Sequence, residues 1–263
     1  MDDTLNNKQP NKKVINIAAI LAAVAGLGIG LYALIGPLSV WVGITDFRAG
    51  FAILQRVNAF ADWIAVAGLL VSIAAFTGAL ALRWGNSTRL ASLALAGTIA
   101  AALAYFVPES FRPPEGTPPI HDITTNMLNP PQYVAIAPLR ADAPNSMAYG
   151  SGNNMTPERL RQLQQEAYPD IVPQRFNEPA EAVFERALAA VQTLGWELVA
   201  ADQEAGRIEA TDTTFWFRFK DDVVIYISRE GGETVLNARS LSRVGVGDVG
   251  KNTARLREFF ALL

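Results

Sequence analysis

Arg239-Ser-Leu-Ser-Arg-Val-Gly-Val-Gly-Asp-Val-Gly-Lys-Asn-Thr-Ala-Arg255 is the stretch that chooses between two folds. Its glycine core, Gly245-Val-Gly-Asp-Val-Gly250, spells a dinucleotide-binding turn, which would open a parallel βαβ unit and require an acidic residue about 20 positions on. Only 13 residues follow Gly250 in the chain, and the residues upstream alternate like strands joined by short turns. The stretch therefore reads as the last strand, turn and helix of an antiparallel α+β unit. The glycines serve a tight turn with positive φ.

Strand alternation puts Arg239, Leu241 and Arg243 on one face and Ser240 and Ser242 on the other. With Arg255 on the following helix, and with Asp248, Lys251 and Asn252 nearby, the arginines form a candidate anion-binding cluster. Guanidinium forks grip carboxylate or phosphate bidentately, and the amides that start a helix favour anions. The alternative is structural: Arg239 or Arg255 pairs with Asp221, Asp222 or Asp248 and fastens the turn.

Working backwards, residues 176–263 read as a compact unit of one helix, five strands and one helix. The first helix spans 179–194, with Val183, Phe184, Ala187, Leu188, Val191 and Leu194 on one face and Gly195 as its C-terminal stop. Strands are expected at 196–201, 207–211, 214–219, 223–228 and 234–243, joined by hairpin-length connections. Phe215, Phe217 and Phe219 fall on one face of the third strand, Trp216 and Arg218 on the other. The last helix is expected over 249–262 with Asp248 as N-cap. Both helices should cover the apolar face of the sheet, leaving the other to solvent, a ligand or the preceding segment.

That segment, 108–175, reads as extended and proline-rich. Thirteen of the fifteen prolines lie between 108 and 179, which excludes regular sheet or a long helix there. One helix is expected inside it, from Thr156 as N-cap and Pro157 in the first turn to about Ala167. His121, Asp122, Thr124 and Thr125 form a polar knot, read either as part of a metal site or as a hydrogen-bonded pin for the loop; the second reading is the expectation.

The N-terminal third is different. Three charge-free runs, 14–35, 63–82 and 90–107, are each about the length that spans a bilayer. Segment 46–62 between the first two is amphipathic, read either as an interfacial helix or as a polar extension of a span. Ala22, Gly26 and Gly30 on the first span, and Ser92, Ala96, Ala100 and Ala104 on the third, are small-residue stripes that allow close helix approach. Lys8, Lys12 and Lys13 precede the first span, and the loop Arg83-Trp-Gly-Asn-Ser-Thr-Arg89 joins the second to the third. By the positive-inside rule, the tail 1–13 is cytoplasmic and everything after the third span lies outside, in the periplasm of a bacterial inner-membrane protein.

Composition narrows the chemistry. The chain has 263 residues, net charge -3, no cysteine and one histidine. Disulfides, thiolate zinc sites and cysteine nucleophiles are excluded, and the charge balance gives no case for nucleic acid. No serine sits in a nucleophile elbow that His121 could serve. No catalytic set, metal or cofactor is expected.

Ile120-His-Asp-Ile-Thr-Thr125, Tyr168-Pro169, Gly195-Trp196, Phe219-Lys-Asp-Asp-Val223 and the 239–255 motif together resemble a bacterial family catalogued as domain of unknown function 1499. The resemblance covers about 108–263, and the three spans are similar to an arrangement in some members. Asn126 departs from the pattern, which has an acidic residue after the threonine pair. The resemblance implies a domain boundary and no activity. Two functions remain as expectations. One is a non-enzymatic interaction or accessory subunit of a membrane protein complex, with the bilayer and another membrane protein as partners. The other is a binding protein or enzyme for an anionic small molecule or lipid headgroup at Arg239, Arg243 and Arg255.

Overall fold

A computed structural model describes residues 11–81, 87–151 and 155–263 and divides into two compact units, Met1–Arg112 and Pro113–Leu263. Residues 1–10 of the expected cytoplasmic tail, with Lys8, and residues 82–86 of the loop carrying Arg83 lie outside the described residues.

The first unit is three helices: α1 (Lys12–Trp41), α2 (Phe47–Ala81) and α3 (Ser87–Glu109). All three are long and apolar enough to cross a membrane. They meet through residues without bulk. A Cβ on Gly26 would lie 2.2 Å from the Gly97 carbonyl oxygen, one on Gly36 2.8 Å from that of Gly50, and one on Gly68 2.6 Å from Thr98 Oγ1. Close approach of this kind supplies the packing that lipid-facing helices cannot draw from the hydrophobic effect.

Of the two readings of 46–62, the structure has the polar extension of a span: residues 47–62 are the first turns of α2 and not a separate surface helix. No glycine or proline interrupts 51–67, and Val57 and Ala61 are fully buried inside the bundle, so the helix runs on. On α3 the stripe is shifted. Ser92 and Ala96 face outward, while Ala91, Ala94, Gly97, Ala101 and Ala104 are buried. A strict four-residue line drifts around a helix of 3.6 residues per turn, and the buried face follows a mixture of three- and four-residue steps.

The second unit is built on a six-stranded antiparallel sheet: β1 (Asp122–Thr124), β2 (Gln174–Phe176), β3 (Glu197–Asp202), β4 (Arg207–Thr213), β5 (Lys220–Glu230) and β6 (Glu233–Ser242). The order is β1-β6-β5-β4-β3, and β2 also pairs with β6. Three helices, α4 (Pro157–Ala167), α5 (Ala180–Thr193) and α6 (Lys251–Phe260), pack on one face. Val183, Phe184, Val191, Leu256 and Phe259 meet Ile208, Val223, Ile225 and Leu236 there. Thr156 caps α4 through Oγ1, which accepts from Arg159 N at 3.2 Å.

The unit starts at Pro113, so residues 113–175 are part of this fold and contribute β1, β2 and α4 to it; sheet was not expected there, but the two short strands fall in proline-free stretches and pair with β6. A boundary at 176 cuts through the sheet. The expected strand at 214–219 is a loop, and Lys220-Asp221-Asp222, expected as its turn, is the start of β5. Arg218 takes φ 54°, which no extended strand accommodates. The Asp221 and Asp222 carboxylates are buried but charge-paired. The last helix starts at Lys251 rather than 249 because Val249 (φ 53°) and Gly250 (φ 82°) are left-handed. The Gly231-Gly232 turn has φ 60° and 96°, as a two-residue hairpin turn requires.

Candidate functional site

The 239–255 motif works on both faces of β6. On the helix side, Ser240 Oγ donates to Asn252 Oδ1 at 2.6 Å. Asn252 Nδ2 donates to Ser242 Oγ and to the His121 carbonyl, both at 2.9 Å. Arg255 spends its fork on Asp212 (2.9 and 2.8 Å) and Asp221 (2.7 Å), and its remaining nitrogen on Ser240 and Asn252. Asp248 accepts from the amides of Gly250 (2.8 Å) and Asn252 (2.7 Å). Burial pushes its carboxyl above the usual range despite those two bonds. It caps α6 from three residues upstream, which the left-handed pair 249–250 makes geometrically possible.

The opposite face of β6 meets the irregular segment 126–151. Arg239, fully buried, donates bidentately to Asp122 at 2.8 Å and also to the Met147 (2.7 Å) and Pro131 (3.3 Å) carbonyls. Burial works against its charge, but Asp122 more than offsets this and raises the guanidinium above its ordinary value. Arg243 donates bidentately to Asp222 at 2.8 Å and to the Leu139 carbonyl at 3.1 Å. Arg140, from the 3-10 turn Ala137–Arg140, donates to the same Asp222 carboxylate. Burial pushes Asp222 up, and hydrogen bonds from Arg243, Thr211 and Arg140 overcome it and hold the carboxyl below the usual range. Tyr133 lies in the same layer, its hydroxyl donating to the Asp222 carbonyl at 2.9 Å. Burial raises that phenol far above its ordinary value.

Arg239 and Arg243 thus share one side of the sheet, and Arg255 lies on the other. Their donors are directed at Asp122, Asp222, Asp212 and Asp221, so no single three-arginine pocket forms. Of the partners considered from the sequence for Arg239 or Arg255, Asp221 pairs with Arg255, while Asp222 pairs with Arg243 and Arg140 instead. Asp122 and Asp212 were not foreseen. Lys251 is exposed at the start of α6.

The polar knot ties β1 to β6. Thr124 Oγ1 donates to the Ala238 carbonyl (3.2 Å), and Thr125 Oγ1 contacts Asn237 Oδ1 (3.1 Å) and accepts from Ala238 N (2.9 Å). His121 Nδ1 lies 3.0 Å from the Val246 carbonyl. Among the described residues no three His, Cys, Asp or Glu side chains converge as a metal site.

Two buried polar devices were missed from sequence. The Glu209 carboxylate, fully buried, accepts from the amides of Val134, Ala135 and Ile136 at 2.8–3.1 Å. Gln164, also fully buried, accepts from Thr124 N (3.1 Å) and donates to Thr124 O (2.7 Å). A side-chain amide thereby occupies the place of a further strand and closes that stretch of the sheet edge.

Beside this edge lies an open groove of about 750 Å³. Its walls are the loop after β1, the polar face of α4 and the edge where β2 meets β6. Glu158, Arg161, Gln162, Arg175, Glu230 and Asn237 line it. Both charge signs occur with several amides, a lining that suits a polypeptide better than a small apolar cofactor. The one signal in the sequence was the spacing of Glu158, Arg161, Gln162 and Gln165, which places four polar side chains on one helix face.

Sheet, helices and membrane-length spans together define a membrane protein that carries a folded α+β unit whose polar interior is built around the last strand, turn and helix. Over residues 122–263 the chain matches the family model described as protein of unknown function, DUF1499. That is more than half of its length, and the chain belongs to this family. No curated protein matches it.

Proposed function

We propose that the protein is an accessory subunit of a membrane protein complex, anchored by three helices in a bacterial inner membrane, with the α+β unit in the periplasm. The groove beside α4 receives a polypeptide segment of the partner. Its mixed lining carries this reading, because Arg161, Arg175, Glu158 and Glu230 offer paired charges while Gln162, Gln165 and Asn237 offer hydrogen bonds to a peptide backbone. The absence of cysteine from the chain makes topology directly measurable with single introduced cysteines.

The test is photo-cross-linking in intact membranes from a reactive residue at Gln162, with Glu204 as a distant control position. A discrete cross-linked protein from Gln162 but not from Glu204 is expected, co-purifying after gentle solubilisation. Free monomer, with identical patterns from both positions, would exclude a partner in the groove. Labelling of a Glu204→Cys variant by an impermeant thiol reagent in whole spheroplasts is expected from the periplasmic placement. Protection there, with labelling after lysis, would invert the orientation.

A further inference from the structure

One end of the α+β unit collects features that none of the readings above uses. The registers Thr213 opposite Lys220 and Asp221 opposite Ser242 place the 214–219 loop and the 244–250 turn at the same end of the sheet. The chain that comes from α3 reaches the sheet at that end too. Ser242 N donates to the His121 carbonyl (3.0 Å), Asp248 N donates to the Ile120 carbonyl (3.1 Å), and Gly247 lies against Pro119, where a Cβ would be 3.1 Å from its Cα.

This end exposes apolar side chains that a water-facing turn does not need. Phe215 is 65% exposed, Val246 56%, Val249 44% and Trp216 38%, and the Phe215 and Trp216 rings stack edge to face at 5.2 Å. Arg218, Lys220 and Lys251 are exposed as well, and so are the acids Glu115, Asp142 and Glu197. Aromatics ringed by basic residues are the composition that settles in the headgroup layer of a bilayer, and basic residues there are attracted to anionic lipid. The tether fits the same partner. Glu109 ends α3 and Pro119 is already fixed against the turn, so the nine residues between them span at most roughly 35 Å when fully extended.

We propose that this end docks on the bilayer that holds the spans, with Phe215 and Trp216 in the interfacial layer and Arg218, Lys220 and Lys251 against anionic headgroups. The inference rests on the membrane-anchored part of the functional reading and not on the groove or its partner. Docking fixes the orientation of the unit. The hairpin turns at 203–206 and 231–232 point away from the surface, because β6 alone is ten residues long, or roughly 30 Å.

The test uses the full chain, purified and reconstituted without any partner in vesicles of phosphatidylcholine with a minority of phosphatidylglycerol. Nitroxide labels are placed singly at Phe215→Cys, Val246→Cys and Glu204→Cys, and collision with oxygen is compared with collision with a water-soluble nickel chelate. Docking predicts an oxygen-to-nickel ratio several-fold higher at 215 and 246 than at 204. Nickel accessibility equal at all three positions would overturn it. So would shielding of 215 and 246 from both reagents, because that pattern reports a protein contact. In a separate variant that keeps the native aromatics, Arg218→Glu, Lys220→Glu and Lys251→Glu are combined with the Val246→Cys label, and the ratio is expected to fall several-fold. An unchanged ratio would remove the headgroup contacts from the proposal. Cross-linking at Gln162 is independent of this outcome, so the two readings fail separately.

Discussion

The two faces of the sheet are covered by different kinds of chain, and they are held in different ways. One face is covered by α4, α5 and α6, whose backbones satisfy themselves and whose apolar stripes need only a matching apolar surface. Val223, Ile225 and Leu236 supply it. The other is covered by residues 126–151, which contain no regular structure beyond one 3-10 turn. Such a segment arrives with unpaired amides and carbonyls, and burying them unpaired is costly. The sheet answers with charge. Glu209 takes three consecutive amides, and Arg239 and Arg243 take carbonyls of the segment. Only a small apolar cluster, Tyr133, Ile136, Val224 and Leu241, accompanies them. Under the irregular cover the buried ions satisfy backbone groups of the segment, whereas on the helical side the buried Arg255–Asp221 pair joins side chain to side chain.

The contrast is broken most strongly by paired truncations. Arg239→Ala leaves Asp122 buried without its partner, a loss expected to be roughly 3–5 kcal/mol, and should expose 141–151 to limited proteolysis. Phe259→Ala removes a fully buried ring at a similar cost of about 3–5 kcal/mol, while 141–151 stays protected. Thermal melting in detergent followed by protease mapping separates the two. Equal protection in both variants would mean the segment is not held by the ion pair.

Glu209→Gln is expected to cost about 2–3 kcal/mol, since an amide presents one oxygen and two donors to three donors. Unchanged melting in Glu209→Gln would show that those amides find other acceptors. Gln164→Ala opens the β1 edge and should lower stability by roughly 1–2 kcal/mol. Hydrogen exchange at Thr124 N is expected to rise with it, and exchange unchanged there would show that Gln164 does not guard the edge.

The smallest effect is a difference in acid response. Asp222 is lowered in the fold, so its stabilisation is complete above the ordinary carboxyl range near about 4. It is lost as pH falls through the lowered value. Asp248 is raised, so its contribution runs the other way. It is present below the ordinary carboxyl value and lost as pH rises through the raised one. Asp222→Asn should therefore flatten the acid limb of a stability profile, and Asp248→Asn should steepen it. Parallel profiles for the two variants would contradict this assignment.

What the sequence revealed and what it hid divide along the same line. Hydropathy exposes the spans because the bilayer acts on every residue alike. Thr156-Pro157 starts α4 and Gly195 ends the turn after α5 through local backbone preferences. The 214–219 strand failed because Phe215, Phe217 and Phe219 alternate as a strand does, while the backbone turn at Arg218 leaves no trace in that alternation. Lys220-Asp221-Asp222 looked like a turn because the partners that let those aspartates be buried, Arg140, Arg243 and Arg255, lie 21 to 82 positions away. The arginine cluster looked like a site for the same reason. Residue type showed the cations, but their carboxylates are set by topology alone. Whether the proline-rich segment is packed or free depended on Glu209, about 75 positions from the amides it holds.

β6 is the partner of β1, β2 and β5, yet it follows all of them in the chain. During synthesis the three spans and the first two short strands are complete before the strand they pair with exists, and Asp122 waits 117 positions for Arg239. Pairings of such long separation form slowly, and the intermediate presents unpaired strands and uncompensated charge to its surroundings. The pairings of β1 and β2 therefore wait until β6 has been made.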